Sequence, residues 1–189
     1  GCSYLRVNNL NIWGLGIYAY PLKIWNNSNY NIFTACTFSV PFGSTSTNQI
    51  PISFSGSGTT YAAYGMCGNF NVIQTSTISN GYMGVSFYGA SSYNCTNDQN
   101  PKGNQILNNQ ILDYYSYGIY NYYFLTGTVI KGNVIKCPNI TVHTSRYAIY
   151  SYYTNSFIID GNLGSVAEGS YLSIPVTATT TRNSTIIYN

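Results

Sequence analysis

The chain has 189 residues, the length of one domain, of which 6% are charged and 16% aromatic, with 21 tyrosines. Ordinary soluble domains carry about a quarter charged residues, so solubility here must rest on Asn, Ser, Thr and the tyrosine hydroxyls. The net charge of +3 comes from seven basic and four acidic side chains scattered along the chain, which argues against nucleic acid because phosphate recognition needs clustered cations.

The predicted elements are short strands in a repeating order. "LRVNNLNIW" at 5–13 holds two aliphatic strands split by an asparagine turn, and "GLGIYAYP" at 14–21 supplies a third strand centred on Ile17. Beyond an expected loop at 40–49, "QIPISFSG" carries a weaker third strand centred on Ile52, with "TTYAAYGM" at 59–66, in a loop at 55–68, as its rival. The two-strand element returns as "NVIQTSTIS" at 71–79, followed by "YMGVSFYG" at 82–89 around Val85. After a loop at 91–103 comes "NQILNNQIL" at 104–112, then "DYYSYGIYNYYF" at 113–124 around Ile119. "TVIKGNVIK" at 128–136, a loop at 137–146 and "RYAIYSYY" at 146–153 around Ile149 make another unit, and "SFIIDGNLG" at 156–164 opens one more. Residues 165–189 leave the pattern and are expected to cap or extend the repeat domain of residues 1–164.

Ile17, Val85, Ile119 and Ile149 are separated by 68, 34 and 30 residues, the first interval being twice the second. Periods of this length belong to solenoids, in which a unit buries its apolar face only by stacking on its neighbours. Alternation of apolar and polar residues, with Gly and Asn in every unit, opposes helix. The expected fold is therefore all-β, a parallel β-helix of about five rungs with loop insertions. Asn9, Asn109, Asn133 and Asn162 are expected at equivalent turns, where Asn tolerates left-handed backbone and stacked side chains form ladders.

The "N-x-I-x-x-N-x-I … Y-G-I-Y" phrasing resembles the right-handed parallel β-helix repeat of the pectate-lyase-like superfamily and of NosD-like surface β-helix proteins, over residues 4–164. The resemblance implies the fold and is nearly silent on activity, since this fold hosts lyases, hydrolases, epimerases, adhesins and viral spikes.

If the aliphatic centres face inward, the residues one and three places later face outward. Those positions hold Tyr18, Tyr120 and Tyr150, with Ser86 between, and Tyr20, Tyr88, Tyr122 and Tyr152. Rungs about 4.8 Å apart would stack these rings into an exterior ladder. Three uses suit it: stabilising the sheet, contacting another copy or another surface protein, or stacking on sugar rings.

Catalysis finds little support in the sequence. Polysaccharide hydrolysis needs two carboxylates flanking one bond, and Asp98, Asp113, Asp160 and Glu168 fall in unrelated places. A lyase would need acidic ligands for calcium beside a base; Lys131, Lys136 and Arg146 are present without the acidic cluster. His143, the one histidine, lies in a turn-rich insertion near Arg146 and Cys137, and no G-x-S-x-G or phosphate-binding glycine loop occurs. No cofactor and no metal are expected. Cys2, Cys36, Cys67, Cys95 and Cys137 form no CxxC pair and are expected mainly as small buried residues, with room for one or two bridges.

The expectation is thus a non-enzymatic, extracellular structural or adhesive module of a filament, sheath, spike or envelope at a cell or virion surface. Its partners would be other surface or filament subunits, including its own copies, with no direct membrane span. The alternative is a module that binds or degrades polysaccharide. Sequons at Asn26, Asn94, Asn139 and Asn183 permit glycosylation. The chain opens Gly1-Cys2 without Met, as a processed protein or a fragment of a longer one would. A chain with so few carboxylates also has little to lose in acid.

Overall fold

The computed structural model of the chain describes residues 1–89, 101–122, 127–139, 146–152, 158–165, 170–173 and 185–186. Every regular element in them is a strand, and every pairing is parallel. The first sheet joins β1 (Arg6–Asn8), β4 (Ile32–Thr34), β7 (Val72–Gln74), β10 (Gln105–Leu107), β13 (Val129–Lys131), β16 (Ile158–Asp160) and β19 (Thr185–Ile186). The second stacks β2 (Asn11–Trp13), β5 (Thr37–Ser39), β8 (Thr77–Ser79), β11 (Gln110–Leu112), β14 (Val134–Lys136) and β17 (Leu163–Ser165). The third stacks β3 (Leu22–Ile24), β6 (Ile52–Phe54), β9 (Met83–Tyr88), β12 (Tyr117–Tyr122), β15 (Arg146–Tyr152) and β18 (Ser170–Ser173). The chain is a parallel β-solenoid, as the repeats implied, and β18 and β19 carry the same sheets past residue 164.

Most strands are three residues long because each contributes one inward side chain between two outward ones. In the first sheet the inward column is Val7, Phe33, Ile73, Ile106, Ile130 and Ile159, and in the second Ile12, Phe38, Ile78, Ile111 and Ile135. From Phe33 and Phe38 onward both columns are buried and form one continuous core. Each such side chain contributes roughly 1.5–3 kcal/mol of burial, available only once a neighbouring coil covers it.

The corner between the first two sheets is built from two residues per coil. Asn9, Ala35, Thr75 and Asn108 take φ of 54°, 51°, 47° and 54°, and Gly132 and Gly161 take 67° and 58° at the same place. The following residue turns inward and bonds along the axis. Cys36 N donates to Ser76 Oγ (3.0 Å) and Ser76 N to Asn109 Oδ1 (2.9 Å). Asn109 then donates from N and Nδ2 to Asn133 Oδ1 (2.9 and 3.0 Å), and Asn133 likewise to Asn162 Oδ1 (2.9 and 2.8 Å). Asn109, Asn133 and Asn162 thus form the expected ladder. Asn9 does not belong to it: register places Asn9 in the left-handed column beside Asn108, and Leu10 in the ladder position.

A second ladder at the corner from the third sheet back to the first had no counterpart in the sequence reading. Asn31 donates from N and Nδ2 to Asn71 Oδ1 (3.0 and 2.9 Å), and Asn71 to Asn104 Oδ1 (2.9 and 2.9 Å). Just before it, Tyr4, Tyr30 and Phe70 adopt positive φ and stack their rings at 5.1 Å per step. The column ends at Gly103, where a Cβ would run into the Phe70 ring.

Two expectations about the coils need correction. "NIFTACTFS" at 31–39 is a full coil that the repeat reading lacks, because Ala35 and Cys36 stand where the other coils carry a polar residue or Gly at the turn. Ile17 is not a strand centre: it is 79% exposed, and Leu22 pairs with Ile52, which pairs with Val85. Ile52 therefore holds the place that "TTYAAYGM" rivalled. Cys36, Cys67 and Cys137 are buried and Cys2 is exposed, all as free thiols, so no bridge forms among the described cysteines; Cys95 lies outside the described residues.

Candidate contact surface

The outer face of the third sheet carries three short columns of tyrosine. Tyr117 stacks on Tyr147 (ring centroids 5.5 Å, planes 11° apart) and Tyr120 on Tyr150 (5.5 Å, 6°). Tyr122 stacks on Tyr152 (5.4 Å, 8°), with Tyr88 a further step away, tilted, at 5.1 Å. The columns also touch sideways, Tyr120 lying 4.9 Å from Tyr117 and 5.5 Å from Tyr122. The strand register sets this arrangement, because Tyr117, Tyr120 and Tyr122 pair with Tyr147, Tyr150 and Tyr152. The 117/147 column was missed by counting only one and three places past the aliphatic centre. Its signal was the Tyr two places before that centre in both "YGIY" and "YAIY".

The glycine inside "YGIY" has a packing reason. A Cβ on Gly118 would stand 2.5 Å from the Ala148 carbonyl oxygen, and one on Gly84 2.7 Å from that of Gly118.

Burial raises the Tyr120 hydroxyl well above the usual phenol range, with the neighbouring tyrosines, Tyr122 first, adding to the effect. Tyr117, Tyr150 and Tyr88 are raised for the same leading reason. These four hydroxyls therefore stay uncharged through neutral pH. Stacking turns the ring faces toward each other, so what the surface offers outward is ring edges and hydroxyls.

At the other end of this sheet the tyrosine columns give way to Ser53 and Ser86, both fully buried. A strap at 55–66 is tied to Ser53 through Lys23. Gly56 N donates to Ala63 O (2.8 Å), and the Thr60 carbonyl accepts from Ser55 Oγ (2.8 Å) and Lys23 Nζ (2.7 Å). Tyr64 and Tyr61 of the strap meet Tyr88 at 5.0 and 6.2 Å, joining strap and tyrosine face into one surface. Lys23 Nζ also donates to Ser53 Oγ (2.9 Å) and sits 4.3 Å above the Tyr20 ring. Burial pulls its ammonium down to about 8, with Cys67 opposing weakly.

The remaining expected site residues fall elsewhere. Tyr18 is 66% exposed and Tyr20 lies beneath Lys23, both before β3 and outside the columns, a consequence of the misplaced Ile17. Asn26 is exposed at positive φ. Asn139 is exposed, but its N and Nδ2 donate to Asp113 Oδ1 and Oδ2, each at 2.9 Å. Asn94, Asn183, Asp98, Glu168 and His143 lie outside the described residues. Asp160 pairs with Lys131 (2.7 Å) across adjacent rungs, so Asp113 and Asp160 each have a structural partner. Arg146 is 1% exposed and donates from Nε to Tyr115 O (3.3 Å).

Among the described residues no group of three His, Cys, Asp or Glu side chains is placed to hold a metal ion, and no helix is long and apolar enough to cross a membrane. Comparison with protein-family models, curated proteins and solved structures finds no match to this chain. The parallel solenoid accordingly rests on the repeats and the structure, without a family.

Proposed function

We propose that this chain is an extracellular structural module, a stiff solenoid that joins a surface filament, sheath, spike or envelope through its tyrosine face. One observation carries the reading: the rings of that face are stacked on one another, within 6–11° of parallel in three adjacent columns. Ordered tyrosines of this kind give a flat, uncharged surface at little entropy cost, the character of a protein contact. A phenol hydroxyl both donates and accepts, so a second copy of the same face is a chemically suitable partner. The resemblance to pectate-lyase-like and NosD-like repeats enters this proposal at the level of the coil.

The polysaccharide alternative draws less support. A platform for sugars needs free ring faces, and here the faces are spent on neighbouring tyrosines. Hydrolysis needs two available carboxylates, and Asp113 and Asp160, the two among the described residues, are each bound in structural pairs. Use of the exposed sequon at Asn26 belongs to the same proposal and is read by mass spectrometry of the native protein.

Electron microscopy of native material, with the chain located by a labelled antibody, tests the reading. Label along regular filaments, a sheath or spikes is the expected result. Isolated particles that bind or depolymerise a glycan would overturn it.

A further inference from the structure

The inward column of the third sheet changes chemistry partway along the solenoid. It runs Ile24, Phe54, Phe87, Asn121, Ser151 in unbroken register, and the Phe54 and Phe87 rings meet at 4.5 Å. Asn121 is 0% and Ser151 1% exposed. Both amide atoms of Asn121 and the hydroxyl of Ser151 lack any hydrogen-bond partner in the protein. An unpaired buried amide or hydroxyl costs about 1–3 kcal/mol, so leaving two such residues side by side is not a neutral arrangement.

A second observation falls at the same level. The position that Asn31, Asn71 and Asn104 hold is taken in the next coil by Thr128, which is fully buried with an unpaired hydroxyl, so the ladder stops there. Asn121 is the next-to-last residue of β12, and Thr128 immediately precedes β13. The pairing of β9, β12 and β15 runs unbroken through Asn121 and Ser151, and each of these side chains is smaller than a phenylalanine by more than a water's ~30 Å³ share of liquid volume.

We propose that the solenoid holds an internal water site here, with Asn121 and Ser151 as its walls and the Thr128 hydroxyl as a further partner. Water suits the chemistry because the lining groups are neutral and present both a donor, Asn121 Nδ2, and acceptors, Asn121 Oδ1 and the hydroxyls. A buried water makes about three hydrogen bonds, which is what these groups leave open. The site faces inward and is independent of the tyrosine face, so its failure would leave the proposed function standing.

Oxygen-17 relaxation dispersion of water tests the proposal with the whole chain. Wild type is expected to show a contribution from long-lived internal water, and the double variant Asn121→Leu/Ser151→Ala to lose at least one such molecule while melting at or above the wild-type temperature. An equal contribution in both proteins overturns the proposal. So does a variant that melts well below wild type or fails to fold, because protein atoms would then already fill the space. Crystallographic density for a metal ion between Asn121 and Ser151 overturns the assignment to water.

Discussion

Asn109 is the position where the asparagine ladder makes its sharpest quantitative claim. Its side chain is 1% exposed. Oδ1 accepts from Ser76 N (2.9 Å), and Nδ2 donates to Ile73 O (2.9 Å) and Asn133 Oδ1 (3.0 Å). Asn109→Ala would orphan Ser76 N, while Ile73 O stays within the pairing of β7 with β10 and Asn133 Oδ1 would keep its bond from Asn109 N (2.9 Å). One buried backbone group left unpaired at ~1–3 kcal/mol gives a loss centred near ~2 kcal/mol. For a chain of this size that lowers the melting temperature by ~4–8 °C. Asn108→Ala is the control: the preceding residue is exposed, with φ 54°, and loses only the preference of Asn over Ala for left-handed backbone, about 1 kcal/mol. Urea and thermal unfolding followed by circular dichroism measure both. If Asn109→Ala costs no more than Asn108→Ala, the ladder is not what fixes this corner.

Three further outcomes follow from the same structure. Thr75 is an exposed β-branched residue at φ 47°, in the column where Gly132 and Gly161 sit; Thr75→Gly should raise stability by about 1 kcal/mol, and an unchanged or lower melting temperature would deny strain at that residue. Lys23 has its pKa lowered from 10.5 to about 8, so the unfolded chain binds the extra proton between those values and the Lys23 contribution to stability grows as pH rises from about 8 to about 10.5. The stability difference between wild type and Lys23→Met should therefore move in favour of wild type across that window, and a flat difference in urea titrations would contradict the buried amine. Tyr120, Tyr117, Tyr150 and Tyr88 are raised by burial; the stability tied to their neutral form is complete below the unfolded phenol value of about 10 and is lost as pH rises through the folded values. Absorbance at 295 nm should show these tyrosines ionising late, together with unfolding, and a single reversible step near pH ~10 for every tyrosine of a still-folded chain would refute the packing of the face.

The fold was legible because stacking forces the same residue type onto each rung. Ile73, Ile106 and Ile130 occupy one inward position, and so do Ile78, Ile111 and Ile135. Where chemistry differed while geometry stayed the same, the sequence misled. Ala35 follows the left-handed corner that Asn and Gly follow elsewhere, which hid the coil at 31–39. "GLGIYAYP" imitates the third-strand phrase, yet Ile17 and Tyr18 are solvent-exposed, because strand position is decided by pairing with Ile52 and not by the phrase itself. The strap and the Lys23 contacts were illegible for another reason: they join residues 23, 53 and 60 through side chains, and no local pattern announces such contacts.

The third sheet also shows how one strand phrase serves two kinds of surface. In β6 and β9 the inward aromatic is Phe54 or Phe87 and the outward residue before it is Ser53 or Ser86; in β12 and β15 the inward residue is Asn121 or Ser151 and the outward one Tyr120 or Tyr150. The aromatic ring has moved from the inside of the sheet to the outside, with no change in backbone register. The strap accounts for Ser53, which is fully buried and joined through Lys23 Nζ to the Thr60 carbonyl, a side chain as small as serine leaving room for it. With the outside covered by chain, the inside can take the large ring. Beyond the strap the sheet must supply its own cover, and the tyrosines provide it by stacking along the axis. Moving the ring outward leaves the smaller, polar Asn121 and Ser151 facing the core, so the tyrosine face outside and the polar stretch inside follow one change of strand pattern.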